Sequence, residues 1–345
     1  MDLWRDHCQR LFRTGPQTAA EWLFFLPLAG CGLAYGWVMW LRERLYRFGI
    51  LPSCRAAVPT ISVGNLTAGG TGKTPVVDHI ARILTDYGKK VAVVSRGYGR
   101  KRIVEDRVVS RGDGPQIAPE LAGDEAYLLS RRNPRLVVLV ARRRRFAVDR
   151  AVREFGAEVV ILDDGFQHLA VGRHLDIVLL DAQCPLGNGR VLPAGPLREF
   201  PSALERGNLF VFTRSGEGGE APFPVPGEAL HCRHVIHSVA LSLNDERAAL
   251  ADLASLKGGA FAGIADPARF FDDLRRQGLR LDKCLSLADH VRYGRGEMEA
   301  VRNLAEGMDF LVTTEKDGVK LQGMEFPVPC YQVSLGVEFQ EHDEL

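Results

Sequence analysis

Residues 60–80 read TISVGNLTAGGTGKTPVVDHI, which joins a short apolar run, a glycine-rich turn and an amphipathic stretch. Residues 67–74 fit the phosphate-binding pattern GxxxxGK(S/T) except at the first position, where Thr67 replaces glycine. The pattern requires a strand before it and a helix after it, and the flanking segments predict both. The sequence therefore predicts a phosphate-binding loop formed by Thr67, Ala68, Gly69, Gly70, Thr71, Gly72, Lys73 and Thr74.

The chemistry of such a loop assigns roles to its last two residues. Glycines let backbone N–H groups point at phosphate oxygens, and the N-terminus of the following helix adds a favourable dipole. The lysine of the pattern reaches the β- and γ-phosphates of a nucleotide and the hydroxyl ligates Mg²⁺, which we expect of Lys73 and Thr74. Thr67 fits the first position if its φ stays negative. A chance glycine-rich turn is the alternative, and the flanking strand and helix argue against it.

Apolar runs and amphipathic stretches alternate along the rest of the chain. Further strands are predicted at residues 90–94, 135–140, 157–162 and 176–180. Strands separated by helices indicate right-handed βαβ units, so we predict an α/β fold with a P-loop NTPase-like, mostly parallel sheet covered on both faces (α/β/α). A second, smaller α/β/α lobe is predicted from strands that start at Leu209 and at residues 234–241, 260–264 and 310–314.

An apolar stretch without charged residues, WLFFLPLAGCGLAYGWVMWL, occupies residues 22–41. It is about as long as a bilayer core requires, with tryptophans near both ends and arginines directly after it. A signal peptide explains it less well, because no small-x-small cleavage site follows. We predict an N-terminal membrane-associated helix within residues 1–48, and the sequence leaves open whether it spans the bilayer or lies in its interface. A buried core helix is the alternative, because Pro27 and the glycines weaken a regular spanning helix.

The overall composition excludes several classes of protein. Apolar residues make up 46% of the chain and charged residues 25%, as in folded globular proteins. The net charge of +1 argues against a nucleic-acid-binding protein, which usually carries a basic excess. The seven cysteines show no CxxC spacing and the nine histidines no HExxH pair. We therefore expect a reducing compartment and no structural transition-metal site.

Residues 159–168 read VVILDDGFQH and place Asp163 and Asp164 at the carboxyl end of a predicted buried strand. In a parallel sheet this end faces the ligand crevice, where P-loop enzymes hold the carboxylate that positions Mg²⁺. A turn at Gly165 would bring Gln167 and His168 beside the same crevice. An ordinary Asp-Gly turn is the alternative, and the phosphate-binding loop upstream favours a functional cluster.

Several short sequence motifs of this chain occur together in one enzyme family. They are GNLTAGGTGKTP (64–75), VVSRGYGR (93–100), GDEAYLL (123–129), LDDGFQH (162–168), LPAGPLRE (192–199) and TTEKD (313–317). In these motifs and in their order, the chain resembles the tetraacyldisaccharide 4'-kinases, the lipid A 4'-kinases of Gram-negative bacteria. The resemblance covers almost the whole chain.

The resemblance implies a definite reaction. ATP, with Mg²⁺, would phosphorylate the 4'-hydroxyl of a tetraacyl glucosamine disaccharide 1-phosphate to give lipid IVA, at the cytoplasmic face of the bacterial inner membrane. The implied partners are this lipid-linked substrate and the membrane lipid that the N-terminal helix would contact. No nucleic acid and no obligate protein partner are expected.

The resemblance also implies a division of the chain. Members of the family have two α/β/α lobes joined by a two-stranded linker, with the nucleotide between them. The kinase domain would then cover residues 49–206, the second lobe 207–327, and the return strand with the C-terminus 328–345. The linker strands would lie near residues 207–212 and 328–336.

The family pattern assigns the catalytic residues. Its aspartate corresponds to Asp124 and its partner histidine to His290, with Lys73 of the phosphate-binding loop as the third catalytic residue. A carboxylate in reach of a sugar hydroxyl can accept its proton, and a hydrogen-bonded histidine would orient that carboxylate. Without the resemblance, Gly123-Asp124-Glu125 would be interpreted as a helix N-cap.

The same pattern assigns the groups around the metal and the triphosphate. Asp163 and Asp164 take these positions together with His168, and Thr74 would complete the metal site. Glu199, in LPAGPLRE, is a weaker candidate for the cluster.

Arginines near strand ends are further candidates for anionic groups. Arg96 and Arg100 follow a strand and would meet substrate or phosphate, or else form a solvated turn. Arg142 opens an arginine block, 142–145, at a predicted helix N-terminus, where positive charge opposes the helix dipole. A 1-phosphate, ATP or lipid headgroups would explain the block, and a solvated face is the alternative. The TTEKD motif is expected to face the crevice, with the nucleotide base as one candidate contact.

Other functions remain open from the sequence. A membrane-associated P-loop ATPase switch of the partitioning or metallochaperone type has a similar loop and would hydrolyse ATP without a sugar acceptor. A soluble small-molecule kinase or ligase of similar fold would use the N-terminal stretch as a core helix.

Overall fold

The computed structural model describes residues 7, 10–98, 100, 106–216, 221–244 and 246–340, and its strands join into one 13-stranded sheet. The strands are β1 (Thr60–Asn65), β2 (Val91–Ser95), β3 (Arg107–Arg111), β4 (Val137–Val140), β5 (Val159–Asp163), β6 (Leu175–Asp181), β7 (Leu209–Thr213), β8 (Glu228–Ser242), β9 (Arg247–Ala249), β10 (Gly258–Ala262), β11 (Leu281–Ser286), β12 (Phe310–Thr314) and β13 (Cys330–Phe339). The α-helices are α1 (Ala19–Arg47), α2 (Lys73–Asp86), α3 (Pro119–Ala122), α4 (Asp124–Arg132), α5 (Arg144–Arg153), α6 (Leu250–Leu253), α7 (Pro267–Arg276), α8 (Arg295–Ala305) and α9 (Glu315–Gly318). Short 3-10 helices cover Pro201–Arg206 and Val319–Leu321.

The first half of the sheet has the strand order β7-β6-β1-β5-β2-β4-β3. Neighbouring strands are parallel except β3, which pairs antiparallel with β4 at the edge. Val63 of β1 and Ile161 of β5 are fully buried, as expected for strands covered on both faces. Helices α2 and α4 pack on one face and α5 on the other. The predicted mostly parallel α/β/α fold is confirmed.

The second half of the sheet has the order β11-β10-β12-β13, and all of these neighbours are parallel. Phe270, Phe271 and Leu274 of α7 pack on one face. Val301 and Leu304 of α8 pack on the other. The second, smaller α/β/α lobe therefore has its own core on each face of its sheet.

Two long strands, β8 and β13, join the halves. The beginning of β8 is parallel to β7, with Glu228 opposite Leu209, and the rest of its 15 residues pair antiparallel with β13. The predicted linker strand near 328–336 overlaps β13, but the one near 207–212 is wrong. Those residues form β7, which pairs with β6 inside the first half. The sequence predicts strands both at LFVFT and within the later β8, and only strand pairing distinguishes an inner strand from one that crosses between the halves.

Helix α1 is the N-terminal element that the apolar stretch predicted. Thr18 caps it, and Glu21 returns a hydrogen bond to the Thr18 backbone, which forms a capping box. Phe25, Gly32 and Gly36 are buried and recur at helical spacing, so they form one face that packs on the protein. At Gly36 the packing is close, because an added Cβ would lie 2.4 Å from the Phe200 ring. Two of the glycines that weakened the case for a spanning helix, Gly32 and Gly36, are thus part of a packed helix interface.

The opposite face of α1 is apolar and exposed. Leu23, Leu26, Leu33, Trp37 and Val38 are between 56% and 70% exposed. Within the described ranges, no helix combines the length and the apolar character that crossing a bilayer requires.

The close contact at Gly36 predicts an overpacking defect. Gly36→Leu should lower the free energy of unfolding by about 1–3 kcal/mol relative to Gly30→Leu, because the new side chain meets the Phe200 ring. Gly30→Leu is the matched control, since it gains the same helix propensity and its added Cβ has no neighbour within 4 Å. Urea denaturation in non-ionic detergent, followed by tryptophan fluorescence, measures the difference, because Trp22, Trp37 and Trp40 all lie in this helix. Equal stability of the two variants would contradict the packing.

Candidate active site

The phosphate-binding loop lies between β1 and α2, as predicted. Gly69 and Gly72 have φ of 121° and 75°, the left-handed region that glycine adopts without strain. Among the described residues, the non-glycines with positive φ are Asp164, Arg214 and His290, so Thr67 keeps the negative φ that its position requires.

Neighbouring segments hold the loop through its backbone. The Ala68 N–H donates to the Pro196 carbonyl at 2.6 Å. The Thr213 hydroxyl donates to the Thr71 carbonyl at 3.1 Å, and Arg214 donates to the Gly70 carbonyl at 3.2 Å. These contacts come from the LPAGPLRE segment and the end of β7, so the loop is fixed from outside its own strand and helix.

Lys73 connects the phosphate-binding loop to the LDDGFQH motif. Its Nζ donates to Asn65 Oδ1 at 3.0 Å and lies 3.5 Å from Asp164 Oδ1. Thr74 follows in the first turn of α2. The lysine therefore lies at the carboxyl ends of β1 and β5, where the crevice was predicted.

Asp163 is almost completely buried, at 1% exposure. Ser95 Oγ donates to its Oδ2 at 3.0 Å, and within the described residues Oδ1 has no hydrogen-bond partner. Burial, together with the negative charges of Glu125 and Asp164, raises the pKa of Asp163 to about 6. A buried carboxylate oxygen without a partner is suited to accept a cation.

Asp164 has the opposite electrostatic surroundings. Arg198 donates from Nη1 to both of its carboxylate oxygens, at 3.0 and 2.9 Å, and Arg144 donates to its backbone carbonyl at 2.9 Å. Burial alone would raise the pKa of Asp164, but Lys73 and Arg198 outweigh it and hold that pKa below its usual value. In the same crevice, Asp164 therefore stays ionised at a pH where Asp163, with its pKa near 6, becomes protonated.

These residues fit a magnesium ion bound mainly by phosphate oxygens. Across the part of the chain that the structure describes, no group of three or more His, Cys, Asp or Glu side chains converges as a metal site. Mg²⁺ in nucleotide enzymes needs few protein ligands, because the phosphates and water supply the rest. Asp163, Asp164 and Thr74 are the predicted protein ligands, and the unpartnered Asp163 oxygen agrees with that.

His168 and Gln167 lie beside the aspartates. Burial, then the charges of Arg144 and Arg42, lowers the pKa of His168 to about 4, so its imidazole is neutral at physiological pH. Gln167 Nε2 donates to the Asn65 carbonyl at 3.0 Å, and its Oε1 accepts from Arg198 at 3.2 Å. Gln167 thus ties LDDGFQH to the end of β1.

Asp124 and His290 meet across the two halves of the sheet. Asp124 is the first residue of α4, and His290 Nδ1 lies 3.2 Å from Asp124 Oδ2. The N-cap of α4 is Gly123, whose φ of 86° and close contact with the Tyr98 carbonyl require glycine. The segment Gly123-Asp124-Glu125 therefore does begin a helix, with Gly123 as the N-cap, and the carboxylate of Asp124 contacts His290.

The TTEKD motif contacts α4. Lys316 Nζ lies 2.8 Å from Glu125 Oε1, and Glu315 accepts from Arg132 Nε at 2.8 Å. Lys320, shortly after the motif, lies 3.0 Å from Asp124 Oδ2. The TTEKD motif faces the crevice as expected, and these side chains bind the helix that carries Asp124.

The weaker arginine and glutamate candidates separate. Arg96 is exposed, and Arg100 is buried and donates to the Val140 carbonyl at 3.5 Å. Arg142 is exposed, and its backbone N–H donates to Asp106 Oδ1. Glu199 is buried and pairs with Arg206 at 2.8 Å.

Sequence reasoning missed three cations that the structure places at the site. These are Arg144, Arg198 and Lys320. Arg144 lies in the arginine block 142–145 and Arg198 in the LPAGPLRE motif, so the sequence already pointed to both segments. The choice of one arginine in the block depends on helix phase, since only Arg144 of 142–145 is both buried and directed at Asp164.

Comparisons with known proteins agree with this geometry. A model of the tetraacyldisaccharide-1-P 4'-kinase family matches residues 23–345. The tetraacyldisaccharide 4'-kinase of Syntrophotalea carbinolica is 50% identical over 96% of this chain and 93% of its own, and that of Geobacter sulfurreducens is 46% identical over 88% and 86%. A crystal structure of LpxK from Aquifex aeolicus in complex with ATP superimposes with a TM-score of 0.76 at 30% identity, covering 92% of this chain and 96% of that one. The chain therefore belongs to the tetraacyldisaccharide 4'-kinase family.

Proposed function

We propose that this chain transfers the γ-phosphate of ATP to the 4'-hydroxyl of a tetraacyl disaccharide 1-phosphate, with Asp124 as the proton acceptor. The family membership supports the reaction, and the contact between Asp124 and His290 is the observation that supports the assignment of the base. The charge of Lys73, after the larger effect of Lys316, helps to lower the pKa of Glu125, so the phosphate-binding loop lies within electrostatic range of the N-terminus of α4. A base and a phosphate site in one crevice are what a sugar kinase needs.

Asp124 acts during the attack of the sugar hydroxyl. It accepts the 4'-hydroxyl proton while the bond from that oxygen to the γ-phosphorus forms and the bond to the ADP oxygen breaks. His290 donates from Nδ1 to Asp124 and keeps the carboxylate in place. Burial would raise the pKa of Asp124, but the hydrogen bond from His290 and the charge of Lys320 lower it, so Asp124 is ionised and ready to accept a proton.

The phosphate-binding loop and the aspartates hold the donor. The loop N–H groups and Lys73 bind its phosphates, and Thr74, Asp163 and Asp164 would hold Mg²⁺. When bound, Mg²⁺ neutralises the charge of the β- and γ-phosphates. Arg198 and Arg144 keep Asp164 oriented, since they bind its carboxylate and its carbonyl.

Helix α1 supports a place at the cytoplasmic face of the inner membrane. Its exposed face presents leucine, valine and tryptophan side chains, and Arg44 and Arg47 follow in its last turn. A helix that packs on the protein by one face and exposes apolar side chains on the other would lie in the membrane interface, with its exposed face among acyl chains and its arginines at anionic headgroups. Such a helix would keep the active site beside a lipid-linked acceptor.

The transfer of phosphate to the lipid acceptor tests the function. The wild-type chain should move labelled γ-phosphate from ATP–Mg²⁺ to a tetraacyl disaccharide 1-phosphate in detergent, and Lys73→Ala should abolish that transfer because it removes the phosphate-binding cation. Asp124→Asn should lower kcat by about 10²-fold or more, the usual contribution of a positioned base. ATP hydrolysis without acceptor and without transfer would favour the ATPase switch, and a change in KM alone would make Asp124 a binding residue.

The raised pKa of Asp163 predicts a pH dependence of donor binding. A protonated carboxyl group does not ligate Mg²⁺, so the KM for Mg²⁺–ATP should be flat above about pH 7 and rise by up to about tenfold per pH unit below the pKa near 6. Ser95→Ala should move this bend to higher pH, because Ser95 donates to the ionised carboxylate. Steady-state kinetics from pH 5 to 8 measure both effects, and a flat KM in the wild type would exclude Asp163 as a ligand that titrates in this range.

The exposed face of α1 predicts which residues bind lipid. Leu26→Glu with Leu33→Glu should lower the affinity for anionic phospholipid vesicles by more than about tenfold, since the loss of one buried leucine costs about 1.5–3 kcal/mol. Val239→Glu, at a residue 44% exposed on β8, is the matched control and should bind vesicles as the wild type does. Vesicle sedimentation measures binding, and transfer to a detergent-dispersed acceptor should persist in all variants. Unchanged sedimentation of the double variant would refute the proposed membrane face.

A further inference from the structure

The carboxylate of Asp124 has a second partner besides His290, and this partner is the cation of Lys320. Lys320 Nζ lies 3.0 Å from Asp124 Oδ2, and His290 Nδ1 lies 3.2 Å from the same oxygen. Within the described residues no hydrogen bond or ion pair reaches Oδ1. One oxygen of the carboxylate is therefore held by both partners, while the other has no partner among the described residues.

Lys320 is itself held in position. It lies on the 3-10 helix Val319–Leu321, and its ammonium is 3.9 Å from Oδ1 of Asp317. Asp317 is fully buried, and its Oδ2 accepts from the Gly263 N–H at 2.9 Å and the Thr314 hydroxyl at 2.8 Å. The lysine side chain is only 16% exposed, so its position is set by the second half of the sheet.

We propose that Lys320 is a positioning residue for phosphoryl transfer, which acts with His290 to hold Asp124 by Oδ2 so that Oδ1 faces the acceptor hydroxyl. This inference rests on the proposed role of Asp124 as the base. The terminal torsion of an aspartate is broad, and a single partner leaves the carboxylate plane free to rotate. Two donors on one oxygen restrict that rotation, and both of them come from the second half of the sheet.

Cohesion between the halves does not explain Lys320. Arg132 already binds Glu315 and, through Nη1, the Leu335 carbonyl at 3.0 Å, and Lys316 binds Glu125. These contacts join α4 to the second half without touching Asp124. Among the described lysines and arginines, Lys320 is the one whose ion pair is with the base.

Two effects of Lys320 on the rate oppose each other. Its positive charge helps to lower the pKa of Asp124, which makes the carboxylate a weaker base. Its contact also fixes the geometry, and small misplacements of a reacting group can cost large factors in rate. The proposal requires that the geometry dominates, so removal of Lys320 slows transfer even though it leaves a more basic aspartate.

A double-mutant cycle with Asp124→Asn tests this. Lys320→Met should lower kcat about tenfold with little change in either KM, and Lys320→Arg should restore most of the loss, because arginine keeps the charge and can reach the same oxygen. In the Asp124→Asn background, Lys320→Met should change kcat by less than about twofold, since a residue that acts through Asp124 has nothing left to position. Lys283→Met, at an exposed lysine of the second half that donates to the Glu306 carbonyl, is the matched control and should keep wild-type kcat.

The outcomes separate the two proposals. Equal losses from Lys320→Met in both backgrounds would overturn the positioning role, and so would a wild-type kcat in Lys320→Met or no recovery in Lys320→Arg. A wild-type kcat in Asp124→Asn alone would instead remove Asp124 as the base. Lys320→Gln is measured in parallel, and all rates are taken well below the lowest Tm of the set, so that a folding defect in one variant does not decide the result.

Discussion

The active site depends on the neutralisation of carboxylates that lie close together in a partly buried crevice. Asp124, Glu125, Asp163 and Asp164 face one crevice, and the charges of Glu125 and Asp164 are felt directly in the raised pKa of Asp163. Buried charges of one sign are tolerated only when cations or protons compensate them. The compensating cations come from separate parts of the fold, namely Lys73 of α2, Arg144 of α5, Arg198 of the LPAGPLRE segment, and Lys316 and Lys320 of the second half. The complete fold is therefore needed to assemble the site.

The compensation is uneven, and the unevenness gives the carboxylates different properties. Among the described residues, the hydrogen bond that Asp163 accepts comes from the Ser95 hydroxyl, and burial raises its pKa. Asp164 and Asp124 are each bound by cationic side chains, and their pKa values fall. Titratable groups whose pKa values are pushed apart in one site are typical of a division of roles. Here the division agrees with a metal ligand that titrates near pH 6 and a base that stays ionised.

Much of the fold could be predicted from the sequence, because it depends on local patterns. The glycine-rich turn between an apolar run and an amphipathic stretch predicted β1, the loop and α2, and the run before Asp163 predicted β5. The first crossing strand was misplaced, because residues 209–213 form a clear apolar strand pattern and only pairing shows that they lie inside the first half of the sheet. Within the site, Lys73, Asp163 and Asp164 followed from motif and strand position. Lys320 and Arg198 did not, since their partners are distant in sequence and the distance is closed only by folding.

Helix α1 also contacts the site. Arg42, in its last turns, donates to the Gln167 carbonyl, and Gln167 in turn binds the end of β1 beside the phosphate-binding loop. With α1 lying on a bilayer as proposed, the catalytic crevice is held at a fixed height above the lipid surface. The two substrates would then arrive by different routes, the acceptor by lateral diffusion in two dimensions and the nucleotide from the aqueous phase. The enzyme would search a surface for one substrate and a volume for the other, and neither would block the entrance of its partner.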